Sequence, residues 1–323
     1  MYTILVTGGA GYIGSVVVEQ LVEKGYKVVV IDDLRDGNKE SIPDSVEFFN
    51  DNFGNKKILS EIFLNFDIDV VMHFAAYASV PLSVKTPQEY YQNNVINSIN
   101  LLNMMIKFDV KKIIFSSTAA VYGEPEYTPI DERHSLTPIN PYGFSKLVIE
   151  NILNDYHKAY GLKNIALRYF CAAGATEKNG ESRITKESHI IPLIVDSILD
   201  SNKQLRVFGT DYNTKDGSCI RDYIHVSDIS LAHIMALEKL DKFQNNVYNI
   251  GTNHGYTVLD LIGKAETIHS AKINFSISKR RLGDPSSLVA SYEKIQNDLG
   301  WEQKCNLKDI LISTMNWRKA PNY

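Results

Sequence analysis

The chain has 323 residues, of which 44% are hydrophobic and 22% charged, and its net charge is −4 at pH 7. This length fits one large α/β unit or two joined domains, and the composition is that of an ordinary soluble globular protein. The negative charge argues against binding nucleic acid through its phosphates, and no apolar stretch is long enough to cross a bilayer.

The first half of the chain alternates short β-branched runs with helical patterns. This alternation is typical of βαβ units and predicts an α/β fold with a Rossmann-type, doubly wound parallel sheet. Strands are predicted over Tyr2–Thr7, Lys27–Asp32, Val46–Asn50, Val70–Phe74, Lys112–Ser116 and Asn164–Arg168. Helices are predicted over Ile13–Lys24, Lys56–Asn65, Tyr90–Phe108 and Tyr142–Tyr160.

The second half predicts a smaller C-terminal α/β substrate domain that is discontinuous in sequence. The stretch Gly174–Ser188 is polar and irregular, so we place the change of domain just before it. A helix is predicted over Asp228–Leu240, followed by a strand over Asn246–Ile250 that can rejoin the first sheet. The predicted NAD-binding domain is residues 1–172 with 225–251, and the predicted substrate domain is residues 173–224 and 252–323.

The cysteines and the start of the chain predict a reduced, cytoplasmic protein. Cys171, Cys219 and Cys305 are odd in number, far apart and without the spacing of metal ligands, so neither a disulfide framework nor a metal site is expected. The first residues run directly into a strand pattern, without the basic and apolar regions of a signal peptide.

A glycine-rich turn after the first strand predicts a dinucleotide site. Residues 7–14 read T-G-G-A-G-Y-I-G and lie between a predicted strand and a predicted helix. Gly8 permits the tight turn, Gly11 lets a diphosphate approach the backbone, and Gly14 allows helix and strand to pack closely. The N-terminus of the helix then faces the anion. A lone glycine motif would be weak evidence for such a site, but this one has the expected context of a strand before it and a helix after it.

Two carboxylates at the end of the second strand favour NAD over NADP. Asp32 follows Gly14 by 18 residues. A carboxylate at this position accepts hydrogen bonds from the adenosine ribose and repels a 2′-phosphate. Asp33 reinforces the preference. The alternative for either aspartate is a simple turn residue at a strand end.

A tyrosine and a lysine four residues apart predict the catalytic pair. Tyr142 and Lys146 lie on one face of a predicted helix. A nearby ammonium group stabilises the phenolate, so the tyrosine can act as a base, and the lysine can also bind the nicotinamide ribose. Such a pair often occurs by chance on a solvated helix. The glycine turn upstream and the hydroxyl cluster Ser116, Ser117 and Thr118 favour catalysis, with Thr118 bonding the reacting oxygen of the substrate and the two serines capping the strand.

Motifs spread over nearly the whole chain resemble the UDP-glucose 4-epimerase family of extended short-chain dehydrogenases/reductases. Besides the glycine turn they are H-F-A-A at His73, S-S-T-A-A-V-Y-G at Ser116, Y-G-F-S-K at Tyr142, R-Y-F at Arg168 and R-D-Y-I-H-V at Arg221. The resemblance implies tightly held NAD, a UDP-sugar substrate and a homodimer. It implies that Tyr142 takes the proton of the sugar 4-hydroxyl while the 4-hydride passes to NAD. Thr118 is implied to bridge Tyr142 and the sugar hydroxyl. The 4-keto sugar then turns over and receives the hydride on its other face.

The resemblance also implies which further residues contact the two ligands. Cofactor contacts are implied for Tyr12, Ile13, Asp51, Asn52, Phe74, Ala75, Ala76, Asn93, Ser116, Tyr142, Lys146 and Phe170. Contacts with the UDP-sugar are implied for Thr118, Tyr142, Cys171, His189, Phe208, Arg221, Arg281, Asp284 and Leu288. Guanidinium groups suit a diphosphate because they pair bidentately with phosphate oxygens. The alternatives are surface salt bridges for the two arginines and a cap or packing role for His189. His73, at the end of a buried strand pattern, is interpreted as a structural histidine and not as an acid or base.

Departures from the family pattern leave the exact sugar open. Cys171 stands where the family usually has asparagine, and Ala78 where some members have a lysine that contacts the nicotinamide. Leu288 aligns with a position where tyrosine restricts the family's pocket to plain hexoses. Leucine is smaller, so we expect UDP-glucose and UDP-galactose as the better pair and slower conversion of UDP-N-acetylglucosamine.

Three other functions compete with a UDP-glucose epimerase. The first is an epimerase of another UDP-sugar, such as UDP-N-acetylglucosamine or a UDP-pentose. The second is a nucleotide-sugar dehydratase or decarboxylase, which Ala119 and Ala120 disfavour because alanine cannot transfer a proton. The third is a non-catalytic NAD-binding sensor, which the presence of Thr118, Tyr142 and Lys146 disfavours.

Overall fold

The computed structural model describes residues 2–182, 189–281 and 283–323, so part of the polar stretch 174–188 and Leu282 lie outside it. Its strands are β1 (Thr3–Thr7), β2 (Lys27–Asp32), β3 (Glu47–Asn50), β4 (Val70–His73), β5 (Lys112–Thr118), β6 (Lys163–Tyr169), β7 (Cys171–Ala173), β8 (Leu205–Phe208), β9 (Ile220–Arg221), β10 (Tyr223–His225), β11 (Asn246–Ile250), β12 (Tyr256–Thr257), β13 (Phe275–Ser278) and β14 (Ser287–Leu288). Its helices are α1 (Tyr12–Glu23), α2 (Lys56–Asn65), α3 (Val80–Lys85), α4 (Pro87–Tyr90), α5 (Asn97–Lys107), α6 (Pro141–Tyr160), α7 (Ile190–Leu199), α8 (Val226–Lys239), α9 (Val258–His269), α10 (Glu293–Leu299) and α11 (Leu307–Lys319).

A seven-stranded parallel sheet confirms the predicted Rossmann-type fold. The strand order is β11-β6-β5-β4-β1-β2-β3. The order reverses beside β1, and in such sheets ligands bind beyond the carboxyl ends of the strands at that point. The strand over Asn246–Ile250 pairs with β6 at the edge of this sheet, as its sequence pattern suggested.

Helices cover both faces of the sheet because its central strands are apolar on both sides. Val28–Ile31, for example, are all buried. Helices α1, α8 and α10 pack on one face, and α2, α5 and α6 pack on the other. Leu102, Ile149 and Leu153 lie in the core between the sheet and α2, α5 and α6, so these apolar side chains are not available to a partner subunit.

The helix predicted over Tyr90–Phe108 is interrupted in the structure. A π-helical turn spans Tyr91–Ile96 between α4 and α5, and it buries Asn93 and Asn94. The side-chain amide of Asn94 donates to the carbonyl of Tyr77 at 3.0 Å and accepts from the amide of Tyr77 at 2.8 Å. A π-turn adds one residue to a helical turn, which an apolar repeat of 3.6 residues does not reveal.

Short strands and three helices form a separate core, apart from the two cores on the faces of the sheet. Helices α7, α9 and α11 share this core with residues of β7, β8 and β10. Strand β9 lies between β12 and β14, β8 pairs with β13, and β7 pairs with β10. In the described part of the chain, no helix combines the length and apolar character needed to cross a membrane.

Candidate active site

The glycine turn between β1 and α1 has the close contacts that its sequence predicted. Gly8 has a φ of +73°, and a Cβ there would lie 2.5 Å from the amide nitrogen of Ala75. A Cβ on Gly14 would lie 2.1 Å from the carbonyl oxygen of Gly8. Only glycine fits either position. Gly11 precedes α1, which has no side-chain cap and no acidic residue in its first turn to compete with an anionic ligand. Uncapped amide groups at a helix N-terminus are suited to binding an anion.

Asp32 links the end of β2 to this turn. One carboxylate oxygen accepts from the amide of Ala10 at 3.0 Å, and the other accepts from the amide of Leu34 at 2.9 Å. Burial raises the pKa of Asp32, and these two hydrogen bonds oppose the shift. Asp33 is exposed and accepts a hydrogen bond of 3.2 Å from the side chain of Asn52. Both carboxylates therefore flank the glycine turn.

A cleft at the carboxyl ends of β1, β2 and β4 brings together many of the predicted cofactor residues. Those that line it are Gly8, Gly11, Asp32, Asp33, Phe74, Ala75, Ala76 and Asn93. The cleft is also lined by Arg35, Asp36, Phe53 and Tyr77, which the sequence did not single out. An open glycine turn, an uncapped helix and a carboxylate at the end of β2 together fit a dinucleotide with a ribose hydroxyl next to its diphosphate.

The other predicted cofactor residues lie around this cleft without lining it. Tyr12, Ile13 and Gly14 form the first turn of α1. Asp51 and Asn52 follow β3, and Asn52 accepts a hydrogen bond from Asn97 at 2.9 Å. The remaining predicted positions lie further along the sheet: Ser116 near the end of β5, Tyr142 and Lys146 on α6, and Phe170 directly after β6.

The start of α6 is packed closely against the turn that follows Thr118. Asn140 caps the helix by accepting from the amide of Gly143 at 2.8 Å. A Cβ on Gly143 would lie 2.4 Å from the carbonyl oxygen of Ala120. Glycine at this position therefore lets the helix approach the strand end, and Tyr142 and Thr118 are brought to the same edge of the sheet. The hydroxyl of Thr118 accepts from the amide of Ala120 at 3.2 Å.

Lys146 is buried beneath this edge. Its ammonium group donates to the main-chain carbonyl of Ser116 at 2.8 Å and lies 4.9 Å from the ring centroid of Phe115. Burial lowers the pKa of Lys146 to about 7, and the Glu150 carboxylate opposes that shift. Glu150 itself is paired with Arg168, with 2.5 Å between their nearest charged atoms, and accepts from Ser117. The lysine thus lies between the strand end and a buried ion pair.

His73 has the structural role expected from its place at the end of β4. One ring nitrogen lies 2.6 Å from the hydroxyl of Thr7, and the other lies 2.9 Å from the hydroxyl of Ser98. Burial lowers the pKa of His73 to about 3, and the charge of Lys146 adds to the shift. His73 is therefore a neutral structural residue that links β4, which it ends, to β1 and to α5.

On the substrate side, the structure brings Arg221, Asp284 and Leu288 together. Arg221 and Leu288 are register partners of β9 and β14. The Arg221 guanidinium lies 3.9 Å from the Asp284 carboxylate and donates to the carbonyl of Pro285 at 2.9 Å. Leu288 packs in one buried cluster with Phe170 and Ala119, next to Thr118. This cluster joins the substrate side to the catalytic edge.

The remaining predicted substrate residues lie on neighbouring segments. The Arg281 guanidinium lies 4.0 Å from the ring centroid of Phe208, at the end of β8. His189 precedes α7, and its Nδ1 lies 2.7 Å from a carboxylate oxygen of Glu181. Cys171 begins β7, and burial raises the pKa of its thiol to about 12. The thiol is therefore protonated at neutral pH.

The sequence did not identify a tyrosine–histidine pair beside the catalytic edge. Tyr169, the last residue of β6, is buried, and its hydroxyl is hydrogen-bonded to Nε2 of His233. The His233 ring stacks obliquely on Phe74, with 4.5 Å between centroids. The signal was present in the R-Y-F motif, where only the phenylalanine was assigned a role. The histidine on α8 could be found only from the fold.

A doubly wound sheet with a glycine turn, a carboxylate at the end of β2 and a Thr–Tyr–Lys set on the same edge defines a Rossmann-type nucleotide-cofactor enzyme. The model of the NAD dependent epimerase/dehydratase family matches residues 4–251, and the chain belongs to that family.

Individual relatives narrow the comparison. The chain is 46% identical to the UDP-glucose 4-epimerase of Halalkalibacterium halodurans, over 98% of this chain and 95% of the relative. Its structure is similar to that of the Bifidobacterium longum UDP-glucose 4-epimerase in complex with NAD+ and UDP, with a TM-score of 0.94, 37% identity and 99% of each chain covered. It is also similar to the UDP-Glc/GlcNAc 4-epimerase of Campylobacter jejuni, with a TM-score of 0.85, 37% identity and 99% of each chain covered.

Proposed function

We propose that this chain is an NAD-dependent UDP-glucose 4-epimerase, which interconverts UDP-glucose and UDP-galactose through a 4-keto intermediate. The observation that carries the proposal is the close packing of α6 on the turn after Thr118, which holds Tyr142, Lys146 and Thr118 at one edge of the sheet. The glycine-turn cleft opens at the same edge. Groups for proton transfer therefore adjoin a site suited to NAD.

In the proposed mechanism, Tyr142 accepts the proton of the sugar 4-hydroxyl, and Thr118 bridges the two oxygens. Lys146 is fixed on the Ser116 carbonyl and supplies positive charge from the next turn of α6. Bound NAD supplies reversible hydride acceptance, so the sugar undergoes no net oxidation. Ala119 and Ala120 offer no further acid or base. Elimination of water is therefore disfavoured.

The ligands are assigned to the residues predicted for them. NAD is held by the glycine turn, Asp32, Asp33, and the segments around Asp51, Phe74 and Asn93, with Phe170 at the catalytic edge. The UDP-sugar is held on the opposite side by Arg221 and Arg281, whose guanidinium groups suit the diphosphate. The other proposed substrate contacts are Cys171, His189, Phe208, Asp284 and Leu288.

The same assignment divides the chain. Residues 1–172 and 225–251 form the proposed NAD-binding part, and residues 173–224 and 252–323 form the proposed UDP-sugar part. The cysteines are free thiols, which suits the reducing cytoplasm that we propose as the location.

A homodimer is proposed on exposed apolar side chains of α6 and the π-helical turn. Tyr91 is 38% exposed, Ile96 46% and Phe144 48%. The Tyr91 and Phe144 rings meet edge to face at 6.3 Å and so form one apolar patch. Light scattering should give a dimer mass, and Phe144→Glu should shift it towards the monomer. Leu64→Glu is the matched control, because Leu64 is an apolar residue of α2 that is 73% exposed and is not one of the three residues of the patch. A monomeric wild type contradicts the proposal.

The function is tested by incubating purified protein with a panel of UDP-sugars and resolving the epimers. The panel contains UDP-glucose, UDP-galactose, UDP-N-acetylglucosamine and a UDP-pentose. We expect UDP-glucose and UDP-galactose to interconvert fastest. Faster conversion of the acetylated sugar or the pentose would assign another substrate, and a dehydrated or decarboxylated product would assign another reaction.

A further inference from the structure

A guanidinium group spans the cofactor cleft. Arg35 follows β2, and its Cζ lies 3.5 Å from the ring centroid of Tyr77, which follows β4. Because β1 lies between β2 and β4 in the sheet, this contact crosses the carboxyl end of β1, where the glycine turn begins. Arg35 and Tyr77 line the same cleft as Gly8 and Gly11. The stacked pair therefore lies across the part of the cleft that suits a diphosphate.

Arg35 keeps a donor that no protein group satisfies. Its Nη1 is buried and makes no hydrogen bond. A buried charged donor without an acceptor is unfavourable unless a ligand supplies one. Among the described residues that line the cleft, Arg35 carries the single positive charge, whereas Asp32, Asp33 and Asp36 are acidic. An oxygen of an anionic ligand would supply the acceptor that this donor lacks.

The backbone of the same loop is anchored to the glycine turn. Leu34, directly before Arg35, has a φ of +57°, in the left-handed region that leucine rarely adopts. Its amide is held by Asp32, and the amide of Asn38 donates to the carbonyl of Ala10 at 3.0 Å. Unusual backbone conformations persist where surrounding contacts impose them, often at ligand sites. Here they direct Arg35 back over the turn.

We infer that Arg35 binds the diphosphate of the dinucleotide and that its stacking on Tyr77 helps to retain the cofactor. A guanidinium group can pair with two phosphate oxygens. The amides of the glycine turn can donate to the same diphosphate. The inference rests on the proposed function, because it takes NAD as the ligand. The phosphate could instead be the 2′-phosphate of NADP, and the experiment separates the two sources.

The test measures how fast bound NAD leaves the purified holoprotein, by exchange with excess isotope-labelled NAD. Arg35→Ala should speed exchange by about ten- to hundredfold, as expected for the loss of one charge-assisted hydrogen bond. Arg35→Gln, which keeps most of the bulk, should act in the same direction. Tyr77→Ala should speed exchange by a smaller factor, because the charge of Arg35 remains but the ring on which it stacks is lost. Tyr77→Phe, which keeps the ring, should exchange at the wild-type rate.

Lys39→Ala is the matched control for loss of a positive charge. Lys39 belongs to the same loop, but its ammonium group lies 4.3 Å from the Phe48 ring and does not line the cleft. The control should leave exchange unchanged. Exchange from Arg35→Ala within twofold of wild type overturns the inference. Weakened binding of NADP with unchanged exchange of NAD overturns it too, because the arginine would then read a 2′-phosphate.

A wild-type protein that carries no NAD would contradict the proposed function without deciding the role of Arg35. Binding of ADP and of adenosine to the same proteins then decides it. A diphosphate ligand predicts that Arg35→Ala weakens ADP at least tenfold and leaves adenosine unchanged. Equal effects on both ligands, or on neither, overturn the inference.

Discussion

The ammonium group of Lys146 is hydrogen-bonded to the main-chain carbonyl of Ser116, 2.8 Å away, so the catalytic helix is fixed to the end of β5. Two residues after Ser116 the strand ends at Thr118, and one turn before Lys146 lies Tyr142, the second residue of α6. This buried contact and the close approach of Gly143 to Ala120 together hold both hydroxyl groups of the proposed proton relay at one edge of the sheet.

Tyr142→Phe should reduce turnover of UDP-glucose by about 10²–10⁴-fold, because it removes the group that accepts the proton. Phenylalanine keeps the ring, so the fold and the bound NAD should be retained. The measurement is epimerisation rate together with NAD content after denaturation. A variant with turnover within a few-fold of wild type would show that another group is the base.

Thr118→Val should also lose most activity, because it replaces the bridging hydroxyl with a methyl group of similar size. Thr118→Ser is the matched control and should be mild, because it retains the hydroxyl. The valine variant also loses the hydrogen bond from the Ala120 amide, which the serine variant keeps, so the thermal stability of both should be compared as well. Equal activity of the valine and serine variants would remove Thr118 from the mechanism.

His73 should make the protein less stable as pH falls below 6.5. The pKa of its buried ring is about 3, against an ordinary value of 6.5, so between these values only the unfolded chain binds the proton. The stabilisation is complete above pH 6.5 and is lost progressively towards pH 3, by up to about 1.4 kcal/mol per pH unit. Chemical denaturation between pH 4 and 7 measures this slope.

His73→Gln should be less stable at pH 7, and its free energy of unfolding should fall less steeply with acid. The buried His225 and His233, with pKa values of about 4 and 3, have the same sign of effect and remain in the variant. His254→Gln, at an exposed site, is the control and should follow the wild type. Parallel curves for wild type and His73→Gln would refute the assignment.

Leu288 should set the tolerance for an N-acetyl group at C2 of the sugar. Its side chain is buried beside Phe170 and Ala119, so a tyrosine there would take up space next to the catalytic edge. We expect slow conversion of UDP-N-acetylglucosamine by the wild type. Leu288→Tyr should remove that activity selectively, and Leu288→Cys should increase it.

The size of this effect is limited, because an apolar pocket distinguishes methylene-sized changes by only about 1–3 kcal/mol. The ratio of rates for the acetylated and plain sugars is therefore the quantity to measure. If the wild type forms no acetylated epimer after long incubation with excess enzyme, the pocket argument fails while the epimerase assignment stands.

Regular elements of the sheet were predictable because their patterns are long and local. The predicted strands Lys27–Asp32 and Asn246–Ile250 and the predicted helix Lys56–Asn65 have the bounds seen in the structure. The short strands β9, β12 and β14 have two residues each, too few to show any periodicity. The π-helical turn was missed for a related reason, since one extra residue hardly alters an apolar pattern.

Within the site, contacts between residues close in sequence were predictable, and contacts made by the fold were not. The glycine turn and the Tyr142–Lys146 pair each lie on one short segment. Arg35 and Tyr77 are 42 positions apart and meet only because β1 separates their strands in the sheet. Tyr169 and His233 likewise meet only after α8 packs on the sheet.

An epimerase that recycles its own NAD needs no added cofactor, so the most direct measurement omits every added cofactor. Purified protein is incubated with UDP-glucose alone, while the sugar nucleotides are resolved and the absorbance of NADH is followed. We expect UDP-galactose to accumulate to a fixed ratio over many turnovers, no NADH to be released, and denatured protein to yield NAD. Turnover that needs added NADH or NADP, or that stops after one equivalent of substrate, would contradict this expectation.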